Sequence, residues 1–309
     1  MLNFDHKAKV FKKEELQSQL NNEGFVILDF LNAEEVKTLK DFYERSHPQG
    51  VNGFYTSTFS KDTAYRREVD RLIQAEMKRG LDAYFSDYRV HCGSFIVKGN
   101  DEKSALKMHQ DMTLVDESVF TGINIWIPLV DLTETNGAIE ILPRSHRLFK
   151  TYRGASLPDI YDGIETEVHK VMKPCYLKAG QAIIFDQSII HYSPANRSLQ
   201  PRPVINTFIT HKDAGIRICY WDKSRQDAIE IFEQDPDFMV NFQNFGHDIF
   251  SRPSIGRSKG HVPFDFPKVT RALLEKEYGL QPSENKEEPA VPANKKPFME
   301  LFKKILSGA

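Results

Sequence analysis

The sequence predicts a mainly β fold, a sandwich or barrel core with flanking helices, and three observations carry that expectation. From Arg89 onward the chain breaks into short β-type runs with turn residues between them: Phe95-Ile96-Val97, Gly122-Ile123-Asn124-Ile125-Trp126-Ile127, Ala138-Ile139-Glu140-Ile141-Leu142, Ala182-Ile183-Ile184-Phe185 and Val204-Ile205-Asn206-Thr207-Phe208-Ile209. All are of strand length, and several such runs at irregular spacing argue for a β-sandwich or barrel. Upstream of Arg89 the apolar residues recur with a helical period, which places helices before the core and over one of its sheets. Finally, 309 residues with 40% hydrophobic and 27% charged side chains can bury a sizeable core, as one large domain or two small ones.

Taken in order, residues 12–20 read as one short helix, ended by Asn21-Asn22-Glu23-Gly24. Phe25-Val26-Ile27-Leu28-Asp29-Phe30 is an apolar run of strand length. A second helix follows, with Asn32 as its N-cap and Glu35 three positions on, a variant of the capping box. Val36, Leu39 and Phe42 or Tyr43 form its apolar stripe up to His47-Pro48. Residues 50–60 show no clear period and read as a loop. Residues 61–84 form a long helix, with Val69, Leu72, Ile73, Met77 and Leu81 at helical spacing for packing on a sheet. After the β-rich part, residues 267–278 form a last helix stopped by Gly279. Residues 282–296 are polar and proline-bearing, the composition of a flexible linker. Beyond them Phe298, Leu301, Phe302, Ile305 and Leu306 fall on one helical face. The expected organisation is therefore a domain over 1–281, a linker over 282–296 and a short amphipathic helix over 297–309. That helix is too short to be stable alone and is expected to fold against its own domain, a membrane surface or a protein partner.

Charge and motif content remove several function classes. A formal net charge of −2 offers no basic field for nucleic acid. Cys92, Cys175 and Cys219 are widely spaced without a Cys-x-x-Cys, which fits neither a disulfide framework nor a zinc cage and suits buried thiols in a reducing compartment. The first thirteen residues carry charges throughout with no apolar core of signal length, and no run approaches a membrane span, so the expected location is cytoplasmic. There is no P-loop, no Gly-x-Gly-x-x-Gly and no Gly-x-Ser-x-Gly, which leaves nucleotide and serine-hydrolase chemistry without a foothold.

Chemistry concentrates at Leu106-Lys107-Met108-His109-Gln110-Asp111-Met112-Thr113. On a strand, His109 and Asp111 would share one face while Gln110 points away. With a second imidazole from a distant strand they would make a 2-His-1-carboxylate triad, which leaves open positions on an octahedral metal and favours non-haem Fe(II). Leu177 to His191 offers that partner, as a Gly turn, a buried strand and a second apolar run ending in histidine. Period two then puts Ser193 beside His191, and a hairpin through residues 194–201 would return Arg202 alongside. A hydroxyl and a guanidinium together form a receptor for a carboxylate. The alternative for His109 and His191 is a satisfied core histidine. His146 follows Pro143-Arg144-Ser145 in an expected loop and reads as structural. Arg144 and Arg197 serve turns or solvent as well as they would greet an acidic substrate, and Trp126 serves the core as well as a ligand.

These stretches resemble the phytanoyl-CoA dioxygenase family of Fe(II)/2-oxoglutarate oxygenases over roughly residues 22–209. Gly24-Phe25-Val26-Ile27 is similar to the family's opening, and His109-Gln110-Asp111 to its first two ligands. Asn136-Gly137 through Pro143-Arg144-Ser145-His146 is similar to its Asn-Gly...Pro-x-Ser-His stretch, and Gly180 to Phe185 with His191, Ser193 and Arg202 to its ending. The resemblance implies a double-stranded β-helix of jelly-roll, cupin-like type with the cosubstrate inside the barrel. It implies Fe(II) on His109, Asp111 and His191, and the far carboxylate of 2-oxoglutarate on Arg202 and Ser193. Trp126 matches a tryptophan lining the cosubstrate. Ser94 falls where the family places a methionine on that side, and residues 53–60 lack the lysine that the family places there. The chemistry implied is hydroxylation of a small-molecule or carrier-bound substrate with O2, releasing succinate and CO2. Because one fold serves many reactions, the substrate in the family's name is not transferred. A non-catalytic jelly-roll module holding a structural metal is the competing expectation.

Overall fold

In the computed structural model, residues 8–149, 151–240 and 249–281 are described. The linker and amphipathic helix expected over 282–309 lie outside them. The first helix, α1 (Glu14–Glu23), runs three residues past its expected end and is closed by Gly24, whose φ of 86° is the left-handed conformation glycine adopts without strain. A Cβ at Gly24 would also lie 2.5 Å from the His146 ring, so the position excludes side chains twice over. Strand β1 (Phe25–Asp29) follows, then α2 (Ala33–Ser46). The Asn32 side chain accepts from the N–H of Glu34 and Glu35, and the Glu35 carboxylate accepts from the N–H of Asn32, completing the expected box. Such a cap stabilises a helix by about 1 kcal/mol.

The segment expected as a loop is partly ordered: β2 (Phe54–Thr56) pairs with the end of a long strand and leads into a 3-10 turn at Ser57–Phe59. Three residues of edge strand are too short to show a period in the sequence. Helix α3 (Thr63–Tyr84) starts on an Asp62 cap and lies against β3 (Tyr88–Lys98). Its approach depends on Gly93, where a Cβ would come within 2.7 Å of Ile73.

The remaining elements are β4 (Leu106–His109), β5 (Ile123–Pro128), β6 (Ile139–Ile141), α4 (Ser145–Leu148), α5 (Glu165–His169), β7 (Lys173–Cys175), β8 (Gln181–Asp186), β9 (His191–Ser193), β10 (Arg202–His211), β11 (Arg217–Tyr220), β12 (Ala228–Glu233), β13 (Arg257–Pro263) and α6 (Arg271–Tyr278). They form a six-stranded sheet ordered β1-β8-β5-β10-β3-β2, a four-stranded sheet β4-β9-β6-β7 and a small sheet β11-β12-β13. Every pairing is antiparallel. The two larger sheets are the double-stranded β-helix core that the resemblance implied. Period two sorts the large sheet cleanly. Phe95, Val97, Ile123, Ile125, Ile127, Ile184 and Ile205 pack outward against Leu39, Val69, Ile73 and Met77 of the helices. Trp126, Ile183, Phe185 and Val204 face inward onto Ile139, Ile141 and Cys175 of the smaller sheet.

One expectation about connectivity is corrected. Residues 194–201 do not make a hairpin, because β9 belongs to the four-stranded sheet and β10 to the six-stranded one. Arg202 reaches the barrel interior from the opposite sheet, paired with Lys98 rather than lying beside Ser193.

Candidate active site

His109, Asp111 and His191 are the one His/Cys/Asp/Glu group among the described residues able to hold a metal ion, with their ligand atoms all within 4.8 Å of one another. His109 and His191 are directly opposed across β4 and β9, with ring centroids 4.1 Å apart. The backbone sets both rings in the same way. Nδ1 of His109 lies 2.8 Å from the carbonyl of Lys107, and Nδ1 of His191 lies 3.0 Å from that of Ile189. A proton on Nδ1 donates to that carbonyl and leaves the Nε2 lone pair facing the site, the usual arrangement for a metal-binding imidazole. Burial first, and then His191, push His109 down to about 4, so it is a neutral donor at physiological pH.

Asp111 is not on the strand as expected. β4 ends at His109, and Asp111 reaches the same side from an irregular segment held on all sides. Its N–H donates to Gln187 O at 2.9 Å, its carbonyl accepts from Arg153 Nε at 2.6 Å, and the Asn124 amide of β5 donates to its carboxylate. Oδ1 then stands 3.7 Å from Nε2 of His109, and Oδ2 3.9 Å from Nε2 of His191. Two imidazole nitrogens and one carboxylate on one side of a centre are a donor set suited to Fe(II) with positions left open.

Deeper in the barrel, Arg202 is 1% exposed, yet its Nε and Nη1 have no hydrogen-bond partner among the described residues. Its guanidinium lies 5.1 Å from the Trp126 ring centroid. Burial pushes it down to about 9, still charged at neutral pH. A buried, charged donor without an acceptor is costly, and a ligand carboxylate is the chemistry that would satisfy it. Ser193 is buried on β9 and donates to Gly137 O at 3.2 Å. Ser94 sits opposite Asn206 and makes only a long 3.4 Å contact to its carbonyl.

The structure also separates the bystanders. His146 lies 3.0 Å from Asn21 O and packs on Gly24, a structural position. Arg197 pairs with Glu102 at the surface, and Arg144 donates to Glu277 O beside Tyr278. Residues that the motif reasoning missed are Asn124, Arg153, Glu117 and Lys98. Asn124 carried a signal, being a polar residue two positions from Trp126 on an apolar strand. Arg153 carried none: it is paired with Glu117 and bonded to Thr113 across loops that no local pattern connects.

Comparison with known proteins identifies the family of the chain. The model of the phytanoyl-CoA dioxygenase (PhyH) family matches residues 20–204, a span that includes all three clustered residues and Arg202. The chain is 28% identical over 130 residues to the phytanoyl-CoA dioxygenase domain-containing protein 1 homolog of Dictyostelium discoideum, covering 40% of this chain and 46% of that one. It is 23% identical over 172 residues to the dioxygenase CdmD of Talaromyces verruculosus, covering 52% of each. The matches thus span about half the length of those relatives. Among solved structures, the chain is similar to the carbocyclase SnoK of nogalamycin biosynthesis, with a TM-score of 0.47, 17% identity and coverage of 66% of this chain and 86% of that one. It is also similar to the epimerase SnoN in complex with Fe3+, alpha ketoglutarate and nogalamycin RO, with a TM-score of 0.47, 22% identity and coverage of 66% and 85%. With the family model covering well over half of the chain and running through the whole clustered site, this protein belongs to the phytanoyl-CoA dioxygenase (PhyH) family.

Proposed function

We propose that the protein is a non-haem Fe(II)- and 2-oxoglutarate-dependent dioxygenase that hydroxylates a C–H bond of a small-molecule or carrier-bound substrate. In balance, R–H, O2 and 2-oxoglutarate give R–OH, succinate and CO2. The observation that carries this reading is the pairing of a three-donor cluster with a buried, unsatisfied guanidinium in one barrel. A structural metal site has no use for a carboxylate receptor. When bound by His109, Asp111 and His191, Fe(II) would supply the centre at which O2 and 2-oxoglutarate react. The chain's own part is orientation. Arg202 and Ser193 hold the far carboxylate, Trp126 walls the cosubstrate beside Arg202, and Ser94 faces the same interior from β3. Met112, Ala155, Ile218 and Phe238 form an apolar cleft next to Asp111, suited to an apolar portion of the substrate.

Anaerobic addition of Fe(II) and 2-oxoglutarate should give the weak visible charge-transfer band of the chelate, followed in air by succinate release across a metabolite panel. Asp111→Ala should abolish both while leaving the circular dichroism unchanged. A protein that binds Fe(II) without the band, or an Asp111→Ala variant with full turnover, would return the site to a structural metal module.

A further inference from the structure

Lys98 ends β3 and is 0% exposed, and no acidic side chain among the described residues pairs with it. Its Nζ instead donates to three backbone carbonyls: Ser104 O at 2.6 Å, Pro194 O at 2.7 Å and Ser193 O at 2.8 Å. Three acceptors at those distances need three N–H groups, which only the ammonium has. Burial first, and then the Arg202 charge, pull Lys98 below the usual lysine range, and the three carbonyls oppose that pull by accepting from all three N–H groups of the ammonium. Arg202 is its cross-strand partner, so two cationic side chains lie side by side in the interior.

The contacts made by Lys98 are also the joint between the two sheets. Its ammonium ties β3 of the larger sheet to the end of β9 in the smaller one, at Ser193, whose hydroxyl donates to Gly137 O. Its own carbonyl accepts from the Asn196 amide at 3.2 Å, and the Asn196 N–H donates to the Ser104 hydroxyl at 2.9 Å, which closes the knot. Gly137, whose carbonyl accepts from Ser193, approaches the Lys98 stem so closely that a Cβ there would lie 3.0 Å from Cδ.

We propose that Lys98 is a positioning residue for the dicarboxylate cosubstrate: it sets Ser193 and Arg202 at their spacing across the barrel and adds the second positive charge that makes a dianion the preferred occupant. This rests on the 2-oxoglutarate reading above. A stem with no charge keeps the packing and loses both effects, so the variants are Lys98→Met and Lys98→Gln, the latter keeping two N–H donors.

The test reads ligand-induced thermal stabilisation and steady-state kinetics on the full chain. For either variant, stabilisation by 2-oxoglutarate should fall to less than half of the wild-type shift, while stabilisation by Co(II) alone is kept. The apparent KM for 2-oxoglutarate should rise about tenfold or more, with kcat for uncoupled succinate formation changed less than about threefold. Variants that melt lower but keep the wild-type ligand shift and KM would reduce Lys98 to a fold-stabilising residue and overturn the proposal, as would failure of both to fold. A wild-type protein that shows no 2-oxoglutarate shift would overturn the cosubstrate reading itself, an outcome distinct from equal responses in wild type and variants.

Discussion

At the residue scale, the site is decided by where protons and charges can reside. Each histidine of the cluster sets its Nδ1 against a carbonyl two residues back, so its tautomer follows from the local backbone. Arg202 is the complementary case, a buried charge whose Nε and Nη1 find no acceptor among the described residues. Arg202→Lys would keep a positive charge but lose the planar fork that meets a carboxylate with two parallel hydrogen bonds. The apparent requirement for 2-oxoglutarate should rise by about an order of magnitude or more, measured as KM in succinate release. An unchanged KM would move carboxylate binding elsewhere. His109, Asp111 and His191 were legible as a set, because two short motifs 80 residues apart carried them. Lys98 was not, since a lone lysine after an apolar run looks like any strand-end charge and only its burial marks it out.

Elements cooperate through one ion pair. Arg153, in the segment 151–157, is buried against the segment 113–120, with a two-pronged pair to Glu117, an Nη1 bond to Thr151 O and an Nε bond to Asp111 O. Further hydrogen bonds link the same loops, Thr113 N to Arg153 O at 3.0 Å and Arg217 N to Leu114 O at 2.9 Å, so the small sheet is coupled to the ligand loop. Glu117→Ala would leave the guanidinium buried without its carboxylate. Loss of one member of such a pair costs about 3–5 kcal/mol, which should appear as a lower urea midpoint. The same variant should weaken Co(II) binding, because the Asp111 carbonyl is held by the displaced arginine. If stability falls and metal affinity does not, the loops and the ligand are independent. Asp111 itself was expected on a strand; it lies beyond one because the β4 ladder with β9 stops at His109 and the Gln187 carbonyl takes the next N–H.

On the scale of the whole molecule, the sheet order shows how the chain becomes one core. β10 lies between β5 and β3 and is hydrogen-bonded to both, yet the family match stops at residue 204, three residues into that strand. A chain cut after residue 204 would leave β5 and β3 with unpaired inner edges and would remove Ile205 and Ile209, which are 0% exposed in the fold, from the core they fill. Burying such side chains is worth about 1.5–3 kcal/mol each, a large part of a domain's net stability. The truncated chain should show no cooperative thermal transition, whereas a chain ending at residue 281 should keep one. A cooperative transition in the shorter chain would mean that the β3–β5 gap closes by another route. Among the described residues no helix is long and apolar enough to cross a membrane.

What the sequence determined by itself was everything written in local order. Helix periods and the Asn32 cap, the apolar alternation of the strands, and the spacing inside each of the two motifs, His109 to Asp111 and His191 to Arg202, all lie within short windows, where side-chain direction follows from backbone period. The tertiary structure alone decided what depends on chain segments far apart meeting in space. It split β9 and β10 between two sheets, so Ser193 and Arg202 face each other across a barrel instead of sharing a hairpin. It paired Arg153 with Glu117 behind the ligand loop and enclosed Lys98 among three carbonyls. Burial and hydrogen-bond partnership are properties of the assembled core, and a sequence window carries no record of which remote groups will supply them.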